Sequence, residues 1–165
     1  MRYTQCAIHA VLAVAFAASG AAFAADGASA GAAAMAKNVG DQKFDHIPGT
    51  PDCMLGTALS GDPGKGASLL MAKFASGCTV PWHWHTPDEH LMLASGVGRV
   101  EMKDTNPVIL RSGGYAMMPS KHVHQFTCVS ACVIFLRSDA AFDTHYVDGA
   151  GKEITPDEAL KARKK

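Results

Sequence analysis

From position 53 onward the chain alternates short apolar runs with clusters of Gly, Pro, Asp, Asn and Ser. The runs occupy 54–59, 67–75, 80–85, 90–94, 98–103, 108–111, 115–118, 122–127, 132–137 and 143–147. Between them lie Gly61-Asp62-Pro63-Gly64, Ser95-Gly96, Asp104-Thr105-Asn106-Pro107, Ser112-Gly113-Gly114 and Pro119-Ser120. Runs this short at this spacing predict an all-β sandwich or barrel. The tail reads differently. Thr155 is placed to be an N-cap, Pro156 takes the first helical position, and Glu158 completes a Thr-x-x-Glu capping box. Asp157 and Glu158 sit at the positive end of that helix, and Lys161, Arg163, Lys164 and Lys165 at the negative end. So short a helix needs Ala159 and Leu160 packed on the barrel.

The N-terminus carries an address rather than a fold. Arg2 precedes the charge-free stretch 10–24, which ends in Ala22-Phe23-Ala24, the small-x-small pattern of a signal-peptidase site. The stretch is shorter than the roughly 20 apolar residues of a spanning helix, and Ser19-Gly20 interrupts it. The expected organisation is a signal peptide over 1–24, a flexible Ala/Gly linker over 25–44, a β-barrel over 45–150 and a helical tail over 151–165. The expected location is secreted or periplasmic, with no stable membrane anchor.

Composition narrows the classes further. Hydrophobic residues make up 48% and the formal net charge is zero, which excludes a wholly disordered chain and provides no field to attract nucleic acid. Export makes Cys53, Cys78, Cys128 and Cys132 candidates for disulfides, with three pairings open, or for small buried hydrophobes. Only Val129-Ser130-Ala131 separates Cys128 from Cys132. A hairpin there would place their Cα atoms within disulfide range, leaving Cys53–Cys78 as the second pair.

Histidine is the compositional signal: eight in all, five of them between positions 83 and 124. Residues two apart on a strand share a face, so His83 and His85 point together and Trp82 and Trp84 point the other way. The two indoles need cover from N-terminal strands or a second subunit. Glu89 follows across a turn containing Pro87, and His122 and His124 repeat the two-residue spacing. Three imidazoles and a carboxylate on neighbouring strands suit one divalent ion, with one or two positions open for water or substrate. His46, His90 and His145 read as exposed or hydrogen-bonded, and Lys73, Arg99 and Lys103 as scattered solvated charges. Strand parity adds Leu91 to the face of Glu89 and Phe126 to that of His124. Tyr115 and Met117 are expected to close an apolar pocket, with His122 at its rim or behind a ligand.

The spacing Gly77-x5-His83-x-His85-x3-Glu89-x6-Gly96 resembles the first motif of the cupin superfamily. Gly113-x5-Pro119-x-Lys121-x2-His124-x3-Cys128 resembles the second, with Lys121 in place of the usual glycine and Cys128 in place of the usual asparagine. The likeness is to small single-domain bacterial cupins. It implies a cupin-type β-barrel (a double-stranded β-helix, or jelly roll) with a short C-terminal helix. It implies His83, His85, Glu89 and His124 as ligands of one divalent Fe, Mn, Ni, Cu or Zn, and a homodimer. By analogy the implied activity is that of a mononuclear metal-dependent oxygenase acting on a small organic molecule, with Glu89 the candidate catalytic group. The alternatives are a metal-dependent isomerase or lyase, and a non-catalytic metal or small-ligand binding or sensor protein.

Overall fold

The structure, a computed structural model, describes residues 34–161. The expected signal peptide and most of the expected linker lie outside the described residues, as do the last four residues. The chain divides into two units, Met1–Ala36 and Lys37–Lys165; the second is described here. Among the described residues, no helix is long and apolar enough to cross a membrane.

Among the described residues, eleven strands follow a short 3-10 turn at Val39–Asp41. They are β1 (Met54–Gly61), β2 (Ser68–Phe74), β3 (Thr79–Trp84), β4 (Glu89–Ser95), β5 (Val97–Met102), β6 (Val108–Arg111), β7 (Tyr115–Met118), β8 (His124–Cys128), β9 (Cys132–Ser138), β10 (His145–Val147) and β11 (Glu153–Ile154). They form two antiparallel sheets, ordered β1-β2-β9-β4-β7 and β11-β10-β3-β8-β5-β6. This is the expected all-β, jelly-roll barrel of the cupin type. The core fills the space between the sheets with Leu70, Phe74, Leu91, Leu93, Val100, Phe126, Ile134 and Leu136. Phe74 and Phe126 meet edge to face at 5.7 Å.

Three differences from the expected elements have physical causes. The strand expected from His122 begins at His124, because Pro119–His122 is a tight turn closed by His122 N–H donating to Pro119 O at 2.9 Å. Lys121 occupies the left-handed region in that turn (φ 61°), as the motif glycines Gly77, Gly96 and Gly113 do in theirs. Lys121 therefore adopts the backbone of the glycine it replaces, at a steric cost. The strand expected from Asp143 begins at His145, since Asp143 bonds to residues 85 and 86 instead of a ladder. The tail opens with a strand, β11, too short to show as a sequence pattern; it pairs with Tyr146 and Val147. The helix α1 (Pro156–Lys161) has the expected capping box: Thr155 N–H donates to Glu158 Oε2 at 2.8 Å and Glu158 N–H to Thr155 Oγ1 at 3.3 Å. Ala159 is buried beneath it.

Both expected disulfides are present. Cys53–Cys78 and Cys128–Cys132 have Cα separations of 5.7 and 5.9 Å.

Candidate metal centre

Strand pairing assembles the site. His83 on β3 lies directly opposite His124, the first residue of β8, in the antiparallel register. His85 follows immediately after β3, and the Thr86–Asp88 turn carries the chain to the other sheet, where Glu89 opens β4. All four side chains are buried. Their ligand atoms lie within 4.8 Å of one another. Glu89 Oε2 stands 3.0 Å from His124 Nε2 and 3.3 Å from His85 Nε2. The ring centroids of His83 are 4.2 Å from His124 and 4.7 Å from His85.

Each imidazole is held in one tautomer from behind. The Nδ1–H groups of His83 and His124 donate to the carbonyls of Pro81 (2.6 Å) and His122 (2.8 Å), and that of His85 donates to the carbonyl of Asp143. A carbonyl only accepts, so Nδ1 carries the proton and Nε2 presents its lone pair. His85 Nε2, His124 Nε2 and Glu89 Oε2 are buried without a hydrogen-bond partner. Orphaned buried polar atoms cost free energy unless something binds them. Two donors on one ion at about 2.0–2.2 Å from it lie up to about 4.4 Å apart, so this donor set needs only a small contraction to hold a divalent ion. The residues fit the metal that the motifs imply.

The buried groups also act on one another's charge. Burial, and then the neighbouring His124 and His85, hold His83 well below the ordinary imidazole range. Burial also acts against charge on His85 and Glu89, but each offsets it for the other. Glu89 raises His85, and the His85 and His124 imidazoles hold Glu89 far below the usual carboxylate range.

The site lies on the wall of a cavity of about 520 Å³ between the sheets. Its walls include Leu70, Leu91, Val100, Met118, Phe126, Ile134 and Leu136, with Phe142, Asp143 and Thr144 beside the histidines. Among the described residues no Lys or Arg lines it. Leu91 and Phe126 are where parity put them. Tyr115 and Met117 are not. They stand on the outer face of β7, 55% and 42% exposed, and line no part of the cavity. The register pairs Glu89 with Met118 and Leu91 with Ala116, so the inward phase of β7 belongs to Ala116 and Met118. Tyr115 instead shares a hydrogen bond with His90 Nδ1 at 2.7 Å. His122 is also outside the cavity. It belongs to the turn before β8, and what it supplies to the site is its carbonyl, not its ring.

Trp82 and Trp84 face away from the ligands and are half-buried. Cover for Trp84 comes from β10, where His145 stacks on it at 3.9 Å and 4°. His145 is hydrogen-bonded to Glu153 at 2.6 Å and to Asp143 at 3.1 Å. Sequence reasoning missed Phe142, whose ring stacks on His85 at 4.2 Å, and Asp143. Both lie outside the two spaced motifs; the run 143–147 reads in the sequence as a strand with no part in the site.

A family model described as "Cupin domain" matches residues 70–136, a segment that contains all four ligands. No protein of curated function matches the sequence. Among solved structures, an RmlC-like cupin from Shewanella frigidimarina is similar with a TM-score of 0.54 and 14% identity, covering 64% of this chain and 88% of that one. KdgF from a Halomonas species gives a TM-score of 0.53 and 17% identity over 62% of this chain and 92% of its own. A cupin-like protein from Thermotoga maritima gives 0.51 and 19% over 66% and 84%. At these identities the likeness is one of fold. Over residues 70–136 the chain is similar to the cupin domain, and its two-sheet fold is shared with these solved cupins.

Proposed function

We propose that this protein is an exported, mononuclear metal-dependent oxygenase acting on a small, largely apolar organic molecule. The observation that carries the reading is the convergence of four buried donor atoms, three of them without hydrogen-bond partners, on the wall of an apolar cavity. His83, His85, Glu89 and His124 would hold the ion, which would supply Lewis acidity and, if redox-active, the capacity to activate dioxygen.

The chain's own residues do the rest. The three Nδ1–H bonds keep the imidazole lone pairs aimed inward without paid reorganisation during the reaction. The apolar walls exclude water and bind hydrocarbon. With no cationic side chain among the described lining residues, the cavity favours a molecule with one oxygen head group over a polyanion. Of the two carboxylates among the described lining residues, that of Asp143 is already bonded to Thr86 and His145, which leaves Glu89 as the candidate acceptor for a proton leaving a substrate at the ligand cluster.

The test is oxygen consumption by iron-loaded protein across a panel of small phenols. Substrate-dependent uptake with an oxygenated product supports the reading. Tight metal binding with no turnover replaces it with the binding or sensor role, and product formation without oxygen uptake replaces it with lyase or isomerase chemistry. Export, with cleavage after Ala24, and a homodimer belong to the same proposal. N-terminal sequencing of the secreted protein, expected to begin Ala25-Asp26-Gly27, and sedimentation check them.

A further inference from the structure

The three imidazoles are oriented in two ways. His83 and His124 each donate to a carbonyl two residues back on their own segment. His85 donates to the carbonyl of a residue 58 positions away, Asp143. That carbonyl sits between β9 and β10, outside any strand. The Asp143 side chain is what ties it down. Oδ1 accepts from Thr86 N–H at 2.7 Å and Oδ2 from Thr86 Oγ1 at 2.5 Å, so both carboxylate oxygens grip the residue next to His85. His145 Nε2–H adds a bond to Oδ2 at 3.1 Å. The segment is braced on its other side by Phe142 N–H donating to Pro63 O at 2.7 Å.

We propose that Asp143 is a positioning residue for His85: its carboxylate clasps Thr86, and the clasp fixes the backbone carbonyl that aims the His85 ring. The bonds close a small loop joining residues 85, 86 and 143, and hydrogen bonds to an ionised carboxylate are the stronger kind. Without the clasp the carbonyl moves with its irregular segment, and the His85 ring loses its fixed tautomer and direction.

Cobalt(II) titration, followed by its visible absorption, tests this on the full chain with Asp143→Ala, Asp143→Asn and Thr86→Val. The control is Thr79→Val, which removes the Thr79–Thr127 hydrogen bond from the far end of β3, the strand that leads into His85. Asp143→Ala should weaken cobalt binding by about 10- to 100-fold and shift the spectrum. Asp143→Asn, which keeps an acceptor for Thr86 N–H, should lose clearly less. Thr79→Val should stay within about threefold of wild type even where it lowers Tm comparably. A metal-free readout accompanies these: the wild type should show an exchange-protected His85 imidazole N–H resonance at alkaline pH, and that resonance should vanish in Asp143→Ala. Cobalt affinity in Asp143→Ala within about threefold of wild type overturns the proposal, as does an equal loss in Thr79→Val. An unchanged His85 resonance also overturns it, and that readout decides the matter if even the wild type binds no cobalt. If Asp143→Ala does not fold, Thr86→Val decides: a loss beyond about threefold supports the clasp and an unchanged affinity refutes it.

Discussion

The β3–β8 ladder has two unlike ends. At one, Cys78 and Cys128 lead into disulfides and the Phe74–Phe126 pair fills the interior. Backbone bonds lock the same end, with Cys128 N–H donating to Cys78 O at 2.9 Å and Gly77 N–H to Cys128 O at 2.7 Å. At the other end the interior is polar: three imidazoles and a carboxylate, three of whose atoms have no partner. One end holds the barrel together. The other is assembled at a cost in stability, because buried polar atoms left without partners are unfavourable. The candidate metal centre sits at the end that the rest of the barrel must support.

The contrast breaks most completely at the ligands. His124→Ala, or a change of any other ligand to Ala, should cut metal content sharply after dialysis against a weak chelator. His90→Ala should not, since His90 faces outward to Tyr115. Full occupancy in His124→Ala would mean that the second motif does not ligate. At the closed end, replacing Cys53 and Cys78 together by Ala opens a loop of sequence separation 25. Urea unfolding should then show a loss of about 3.5 kcal/mol, with metal stoichiometry of the folded protein unchanged.

Lys121→Gly sharpens the comparison from the turn that leads into His124. The left-handed residue there donates its N–H to His85 O at 2.8 Å, a bond that glycine keeps without the steric cost. The stability gain should be a few tenths to about 1 kcal/mol after allowing for the freer unfolded chain. No gain would mean that the lysine side chain offsets its own strain.

The smallest effect is a pH dependence at β10. Hydrogen bonding to Glu153 raises the pKa of His145, burial offsets part of that, and the hydrogen bond to Asp143 raises it further. A folded pKa above the unfolded one makes this contribution complete below about pH 6.5 and removes it as pH rises through the folded value. The Tm difference between wild type and His145→Gln should therefore be largest near pH 6 and fade in alkaline solution. A difference that is flat with pH would reduce His145 to its stacking on Trp84.

The strand runs, the capping box and the four ligands were legible in the primary structure because each rests on a local period. A two-residue repeat sets a face, and fixed spacing around turn residues sets the motif. The Cys128–Cys132 pair was legible for the same reason, being closed over three residues. Phase was not always readable. Tyr115-Ala116-Met117-Met118 has large apolar side chains on both faces, so only its pairing with β4 put Ala116 and Met118 inside. His122 looked like a strand partner of His124 until the turn closed by Pro119 took it out of the ladder.

What the sequence by itself determined, then, is the set of donors and the strand that carries each, since spacing along one segment is enough to define them. What only the tertiary structure decided is how those donors are aimed and enclosed. His85 takes its orientation from Asp143 and its stacking from Phe142, both in the segment that leads into β10, the strand paired with β3. The cavity wall combines residues of β1 to β5 and β7 to β10 with segments around Ile47 and Thr144. Those contacts join residues far apart in the chain. Their identity depends on loop closure and sheet packing, which no local period records.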